Sequence, residues 1–182
     1  MTDSLGPLYL PGDAVPAVDA MIRVDHAGEY GAMRIYEGQL SVLTPSPSRD
    51  AVIEMANQER RHLETLENLI KDRGVRPSIF LPIWRVTGFL LGVVTARIGP
   101  RAAMACTASV ENVIDNHYKD QADRLGSDEA NFKMIVEEFR TDEQVHRDIA
   151  LDNEAERAVG YSLLSVLIEA GCRFAIRLST RF

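Results

Sequence analysis

The sequence contains the pattern Glu-x-x-His twice, at Glu59 to His62 and at Glu143 to His146. In an α-helix, residues i and i+3 lie on the same face one turn apart, so each pair can direct a carboxylate and an imidazole at one point. A single copy is a weak signal, because such pairs arise by chance on solvated helices. Two copies 84 residues apart, both in helical contexts, indicate two metal-binding half-sites.

Two further glutamates, Glu29 and Glu111, each precede one of these pairs, so the chain reads Glu, Glu-x-x-His, Glu, Glu-x-x-His. One glutamate from each of two helices and one Glu-x-x-His from each of two others form the ligand set of di-iron and di-manganese bundle proteins. Carboxylate and imidazole ligands without thiolate suit these metals. The predicted metal ligands are Glu29, Glu59, His62, Glu111, Glu143 and His146.

The alternative is that these acidic residues are ordinary surface carboxylates and that the two histidines are satisfied core residues. It must explain why all six residues fall, in the same order in two halves, on helical stripes that are otherwise apolar. Burying that many ionisable groups without compensation would be very costly. The pattern therefore favours a metal centre.

Apolar residues recur at three- and four-residue spacing in six segments, which predicts an all-α fold. Five of the helices are expected at about 18–43, 49–73, 101–125, 128–152 and 156–180, with the third ending before Gly99. We expect Ser48 or Asp50 to cap the second helix, Gly74 to end it, and residues 126–128 to supply the turn and cap before the fifth.

The six helices are predicted to form two copies of a three-helix unit. Glu29 and Glu111 are 82 residues apart, Glu59 and Glu143 are 84 apart, and Gly88 and Gly171 are 83 apart. An internal repeat at about 18–98 and 101–180 makes an accidental motif match less plausible and supplies two equivalent half-sites. We expect residues 1–182 to form a single domain.

Composition excludes some classes of protein. A net charge of −7 and the absence of a long basic run argue against nucleic-acid binding. Cys106 and Cys172 are too few for a disulfide framework, so a reducing compartment is expected. The first 20 residues contain neither lysine nor arginine, which predicts no secretory or transit peptide, and residues 1 to about 15 are expected to be an irregular arm.

The third and sixth helices are unusually apolar. The longest uncharged run in the third is about 11 residues, below the roughly 20 that a spanning helix needs, so we predict that it does not cross a bilayer. Both helices could lie at a membrane surface, with nearby arginines facing anionic headgroups, or pack into the core or a homo-oligomer interface. Periodicity leaves both interpretations open. The arginines are Arg85, Arg97, Arg101, Arg173, Arg177 and Arg181.

Several residues near the predicted ligands could support them. Asp142 could accept a hydrogen bond from the metal-bound histidine of the other half, and its repeat counterpart is Gln58, so the two metals are expected to be inequivalent. His26, one turn before Glu29, is predicted to be a supporting residue. His117 and Tyr118 could relay electrons or protons, or they could be a surface histidine and a packed aromatic residue.

Several stretches resemble the demethoxyubiquinone hydroxylase family of ubiquinone biosynthesis. They are Arg23-Val24-Asp25-His26-Ala27-Gly28-Glu29-Tyr30-Gly31-Ala32, Arg34-Ile35-Tyr36, Leu81-Pro82-Ile83-Trp84, Met104-Ala105-Cys106-Thr107 and Ala170-Gly171-Cys172-Arg173. The resemblance covers nearly the whole chain from about residue 20. It implies a ferritin-like four-helix bundle with two additional apolar helices. It also implies that Glu29 and His62 bind one iron, that Glu111 and His146 bind the other, and that Glu59 and Glu143 bridge them.

The activity implied is a monooxygenase that hydroxylates the ring of a 2-polyprenyl-3-methyl-6-methoxy-1,4-benzoquinone, using two iron ions, dioxygen and NADH. No Gly-x-Gly-x-x-Gly fingerprint is present, so Rossmann-type nicotinamide binding is not expected. The resemblance favours a peripheral enzyme at a membrane, with ubiquinone-synthesis proteins as partners. The predicted absence of a transit peptide favours the cytoplasmic face of the bacterial inner membrane, and a processed organellar chain is the alternative.

Two other functions are compatible with the same ligands. The chain could be a ferritin-like iron-binding or storage protein, although cage ferritins have no need of the apolar segment at 79–96. It could also be a non-catalytic lipid-binding scaffold of a quinone-synthesis complex, although retention of all six ligands counts against this function.

Overall fold

The computed structural model describes residues 17–182 and contains six α-helices, two short 3₁₀ helices and, within these residues, no β-strand. The predicted all-α class is confirmed. The predicted irregular arm at 1–15 lies outside the described residues, and the extent of a single domain stays a prediction. The helices are α1 (Ala17–Leu40), α2 (Pro47–Arg73), α3 (Leu81–Ile98), α4 (Pro100–Arg124), α5 (Ala130–Asp152) and α6 (Tyr161–Arg181).

Four helices, α1, α2, α4 and α5, form the central bundle, and each carries one or two of the predicted ligands. One apolar cluster at one end of the bundle includes Leu66, Phe132 and Val136. A second cluster at the other end includes Val52 and Met104. The polar residues lie between these two cores, so the packed ends hold the middle of the bundle rigid.

The two remaining helices lie outside this bundle. The α3 helix packs chiefly against α1, and α6 packs against α4 and α1. The predicted ferritin-like bundle with two additional apolar helices is therefore confirmed.

The contact between α3 and α1 is a backbone contact made possible by glycine. A Cβ atom at Gly92 would lie 2.0 Å from the carbonyl oxygen of Ile35, and one at Gly38 would lie 2.2 Å from the carbonyl oxygen of Phe89. No side chain fits at either position. By contrast, a Cβ atom at Gly171 in α6 would meet nothing within 4 Å. The two repeats therefore share a sequence offset but pack differently, and α6 stands farther from the bundle.

By length and composition alone, α3 is long and apolar enough to cross a membrane, with a mean hydropathy of 1.3 over 18 residues. An 18-residue helix is about 27 Å long, at the lower limit for the hydrocarbon core. Because Gly88 and Gly92 hold α3 along the side of α1, it does not project from the bundle. The prediction that it does not span a bilayer stays a prediction.

The ends of four helices differ from the predictions. Ser46, not Ser48 or Asp50, caps α2, because its Oγ accepts a hydrogen bond of 3.3 Å from the backbone nitrogen of Arg49. Pro47 follows at the first helical position, where its missing N–H costs nothing. Gly74 ends α2 in the left-handed conformation with φ 66°, as predicted.

The α1 helix ends at Leu40 rather than near residue 43, and a 3₁₀ turn at Ser127–Glu129 precedes α5, whose start has no side-chain cap. A second 3₁₀ turn, Ala155–Arg157, delays the start of α6 to Tyr161. Gly160, with φ 71°, interrupts the helical path that was predicted to begin at residue 156.

Candidate metal centre

The six predicted ligands meet in the middle of the bundle as two overlapping groups. One consists of Glu29, Glu59, His62 and Glu143, and the other of Glu59, Glu111, Glu143 and His146. Within each group, one potential ligand atom per residue lies within 4.8 Å of every other. Glu59 and Glu143 belong to both groups, which is the arrangement that two bridging carboxylates require. All six residues are buried.

Each helix of the central bundle contributes to the cluster from its inner face. The Nδ1 atom of His62 lies 3.6 Å from Oε2 of Glu29 and 3.5 Å from Oε1 of Glu143. The Nδ1 atom of His146 lies 3.1 Å from Oε1 of Glu59 and 3.3 Å from Oε2 of Glu143. Both histidines thus turn the same ring nitrogen towards the shared carboxylates.

The hydrogen bonding of these residues fits a pair of metal ions. Buried polar atoms in proteins are nearly always paired, yet several atoms that face the cluster have no hydrogen-bond partner. They are Oε2 of Glu29, Oε1 of Glu59, both carboxylate oxygens of Glu143, and the Nδ1 atoms of His62 and His146. Such a set of unpaired donor atoms around one centre is what metal coordination would satisfy.

The other ring nitrogen of each histidine is held by a residue from the opposite repeat. Nε2 of His62 lies 3.0 Å from Oδ2 of Asp142, and Nε2 of His146 lies 3.3 Å from Oε1 of Gln58. These contacts orient both rings with Nδ1 inward. One partner is a carboxylate and the other an amide, so the two half-sites differ. His62 also stacks on Phe139, with ring centroids 4.0 Å apart.

Crowding of carboxylates in a dry interior shifts their pKa values. Burial, reinforced by the charge of Glu143, raises the pKa values of Glu59 and Glu111 well above the ordinary range. Burial alone would lower the pKa of His62, but the nearby carboxylates of Glu143 and Glu29 raise it to about 11. Burial would raise the pKa of Glu29, yet its neighbours Glu59 and His62 lower it to about 2. In the absence of metal, bound protons thus neutralise negative charge that two divalent cations would neutralise when bound.

Two tyrosines tie the outer carboxylates of the cluster to the opposite repeat. The hydroxyl of Tyr118 in α4 donates to Oε1 of Glu29 in α1. The hydroxyl of Tyr36 in α1 donates to Oε1 of Glu111 in α4 at 2.7 Å. The sequence pattern singles out Tyr118 as a site residue but places Tyr36 only on an apolar stripe. The signal that could have found Tyr36 is the repeat, because the two tyrosines are 82 residues apart, as are the two glutamates.

A second polar group lies beside Tyr118. Nε2 of His117 is 3.0 Å from Oδ1 of the buried Asp25, and Nε2 of Gln121 donates to the same oxygen at 2.7 Å. The side chain of His117 is 16% exposed, so this group reaches from the interior to the surface. Asp25, one turn before Glu29, is a site residue that the sequence did not single out. His26 is buried but belongs to neither ligand group.

An apolar cavity of about 570 Å³ lies between α1, α3, α4 and α6. Its lining includes Gly31, Trp84, Val110, Ile168 and Cys172. Next to it is a narrow gap without room for a water molecule, lined in part by Tyr36 and Glu111. The cavity therefore approaches the cluster from the side of Glu111.

Fold and site together define a ferritin-like helical bundle with a buried carboxylate and histidine centre suited to two metal ions. A family model described as "Ubiquinone biosynthesis protein COQ7" matches residues 16–179. The chain belongs to this family, which confirms the family predicted from sequence.

Curated relatives agree along most of the chain. One is the "3-demethoxyubiquinol 3-hydroxylase" of Rhodospirillum rubrum, 49% identical over 175 residues that cover 94% of this chain and 82% of the relative. Another is the mitochondrial "NADPH-dependent 3-demethoxyubiquinone 3-hydroxylase" of Mus musculus, 45% identical over 91% of this chain and 78% of the relative. The mitochondrial "5-demethoxyubiquinone hydroxylase" of Saccharomyces cerevisiae is 39% identical over 87% of this chain and 76% of the relative.

Proposed function

We propose that this chain is a di-iron monooxygenase that adds a hydroxyl group to the ring of a demethoxyubiquinone, the kind of compound for which its relatives are named. In full, the substrate would be a 2-polyprenyl-3-methyl-6-methoxy-1,4-benzoquinone. One observation carries the proposal: two ligand groups share Glu59 and Glu143, and a member of the cluster, Glu111, lines a narrow gap beside an apolar cavity. This arrangement combines a two-metal centre with room for an apolar ring.

Glu29 and His62 would hold one iron, Glu111 and His146 the other, and Glu59 and Glu143 would bridge them. Bound there, two ferrous ions would supply the two electrons that dioxygen needs in a ring hydroxylation. Asp142 and Gln58 keep the two imidazoles aligned for binding. The apolar cavity walls would exclude water from the ring and receive it next to the gap that Glu111 lines.

Reducing equivalents must reach this buried centre from outside, and we propose NADH as their ultimate source. The names of several relatives specify NADPH dependence, which supports a nicotinamide donor. His117 and Tyr118 form the proposed relay: the ring of His117 reaches the surface, and the hydroxyl of Tyr118 touches Glu29. Asp25 accepts from His117 and holds its ring in place.

We also propose that α3 and α6 rest on a membrane surface, where a polyprenyl tail resides. Val86, Leu90 and Val94 form an exposed stripe along α3, and Leu163 and Phe174 are exposed on α6. Arginines near both helices suit anionic headgroups. The location would be the cytoplasmic face of a bacterial inner membrane, reached without spanning it, with other ubiquinone-synthesis proteins as partners. A homo-oligomer interface is the alternative use of these faces.

Aerobic turnover tests the proposal. Iron-loaded protein in detergent receives the demethoxy quinone, NADH and isotopically labelled dioxygen, and mass spectrometry follows the product. We expect one labelled oxygen atom in the product, lost in Glu143→Ala and retained in Glu138→Ala, which changes an exposed glutamate of the same helix. Binding of about two irons per chain without product, even with a chemical reductant, would favour the iron-storage or scaffold function.

A further inference from the structure

The two halves of the centre face different surroundings although the repeat relates them. Beyond Glu29 and Tyr118 lie the polar side chains of Asp25, His117 and Gln121. Beyond Glu111 and Tyr36 lie the narrow gap and, next to it, the apolar cavity. One half is thus connected to a polar surface and the other to the cavity.

A narrow gap separates the cavity from the metal centre. Ala32, Ile35 and Val110 line both the large cavity and the narrow gap beside it. The gap is also lined by Tyr36 and Glu111, which are joined by a hydrogen bond of 2.7 Å. Because Glu111 is itself a member of the ligand cluster, this hydrogen-bonded pair stands between cavity and cluster.

The repeat shows that this asymmetry lies in the sequence. Ile35, which lines the cavity, corresponds to His117 at an offset of 82, and Thr107, which lines the gap, corresponds to Asp25 at the same offset. The polar residues His117 and Asp25 of one half thus correspond to the apolar Ile35 and the small Thr107 of the other. The tyrosines are kept in both halves, as is a buried glutamine, which is Gln121 in one half and Gln39 in the other.

We propose that Tyr36 is the positioning residue of the cavity-facing half: its hydroxyl holds Glu111 beside the narrow gap next to the cavity, and the substrate ring is received at this half rather than at Glu29. This inference rests on the proposed function for the identity of the ring as a benzoquinone. Tyr118 makes the matching hydrogen bond on the other side, so the two tyrosines are internal controls for each other.

Stepwise metal binding tests the positioning role without any turnover. Cobalt(II) is titrated into metal-free wild type, Tyr36→Phe and Tyr118→Phe, and its visible absorption reports the two sites. Loss of a hydrogen bond to a ligand typically lowers metal affinity about 10- to 100-fold. We expect Tyr36→Phe to weaken one binding step and Tyr118→Phe to weaken the other. Equal effects of Tyr36→Phe on both steps, or none on either, would overturn the positioning role.

Ring binding is measured separately through Trp84, the single tryptophan of the chain, which lines the cavity. A decyl-substituted methoxy-methyl-1,4-benzoquinone is titrated into the metal-loaded protein, and we expect its binding to quench the fluorescence of Trp84. We expect Tyr36→Phe to raise the Kd at least threefold, because Glu111 loses the hydrogen bond that fixes its position beside the gap, and Tyr118→Phe to leave the Kd unchanged. Equal Kd changes in the two variants would overturn ring binding at the Glu111 half.

Circular dichroism establishes that both conservative variants fold. The two readouts also separate this inference from the proposed function, since neither depends on product formation. A wild type that binds cobalt and quinone as expected but never hydroxylates would reject the activity and leave the role of Tyr36 standing.

Discussion

The Nε2 atom of His62 lies 3.0 Å from Oδ2 of Asp142, so a residue of the second repeat orients a histidine of the first. Removing the negative charge at Asp142 should weaken metal binding beside Glu29 and His62. We expect Asp142→Asn to lower the affinity of one of two metal-binding steps about 10- to 100-fold. Isothermal titration with ferrous ions under argon measures both steps.

The repeat supplies the control for this experiment. Gln58→Ala removes the partner of His146 and should affect the other step. If Asp142→Asn weakened both steps alike, Asp142 would not be acting through one histidine.

Substituting a carboxylate that belongs to both ligand groups should change the number of bound metals more than substituting one that belongs to a single group. Glu143 belongs to both ligand groups, whereas Glu29 belongs to one. We expect Glu143→Ala to lose both metals and Glu29→Gln to retain about one per chain, as measured by elemental analysis after desalting. Retention of one tightly held metal in Glu143→Ala would contradict a bridging role.

The cluster makes the stability of the metal-free protein depend on pH. The pKa of His62 is about 11 in the folded protein, against 6.5 for an unperturbed histidine. The native state therefore binds this proton more tightly than the unfolded chain. The resulting stabilisation is complete below pH 6.5 and is lost as the pH rises towards 11.

Urea denaturation of chelator-treated protein at about pH 6 and pH 9 measures this effect. Between pH 6 and pH 9 we expect the free energy of unfolding of the wild type to fall by at least about 1 kcal/mol more than that of His62→Gln. The reason is that a shift of one pKa unit corresponds to about 1.4 kcal/mol. Parallel losses in the two proteins would show that His62 is not protonated in the folded state.

From the close glycine contact between α1 and α3, we expect the addition of a single methyl group to destabilise the protein strongly. In Gly92→Ala, the new Cβ atom would lie 2.0 Å from the carbonyl oxygen of Ile35, so the helices must separate. We expect a loss of about 1–3 kcal/mol in the free energy of unfolding, typical of overpacking. Gly171→Ala in α6 is the matched control, because its Cβ atom would meet nothing within 4 Å. A neutral Gly92→Ala would contradict backbone packing of α3.

Association with membranes should depend on the exposed stripe of α3. Val86 and Leu90 are 56% and 53% exposed on one side of this helix. We expect Val86→Asp together with Leu90→Asp to reduce co-sedimentation with anionic vesicles at least tenfold. Met134→Asp, at a 66% exposed apolar position on α5, should leave it unchanged. Equal binding of the two variants to the vesicles would indicate that the exposed face of α3 contacts something other than a membrane.

The helical periodicity of apolar residues predicted the all-α class, and the repeated Glu-x-x-His pattern with its 82- to 84-residue offset predicted the six residues that meet in the cluster. The reason is local: i, i+3 spacing places a carboxylate and an imidazole on one helical face whatever the rest of the fold does. The family was predicted from the resemblance of several stretches of the chain to a known family. Helix ends were less predictable, because Ser46 acts through a side-chain hydrogen bond to the backbone and Gly160 through its left-handed conformation, and apolar periodicity encodes neither.

Only the tertiary structure decided which residues of opposite repeats touch. The hydrogen bond from Tyr36 to Glu111 and the contacts of Asp25 with His117 and Gln121 join residues 75 to 96 positions apart, and no periodicity within one helix predicts them. The tight packing of α3 on α1 and the looser packing of α6 likewise depend on how glycine backbones meet across helices. The sequence by itself thus determined the chemistry of the ligands and their helical faces. The packing of the helices determined which half of the centre meets the cavity, because that property belongs to the space between helices.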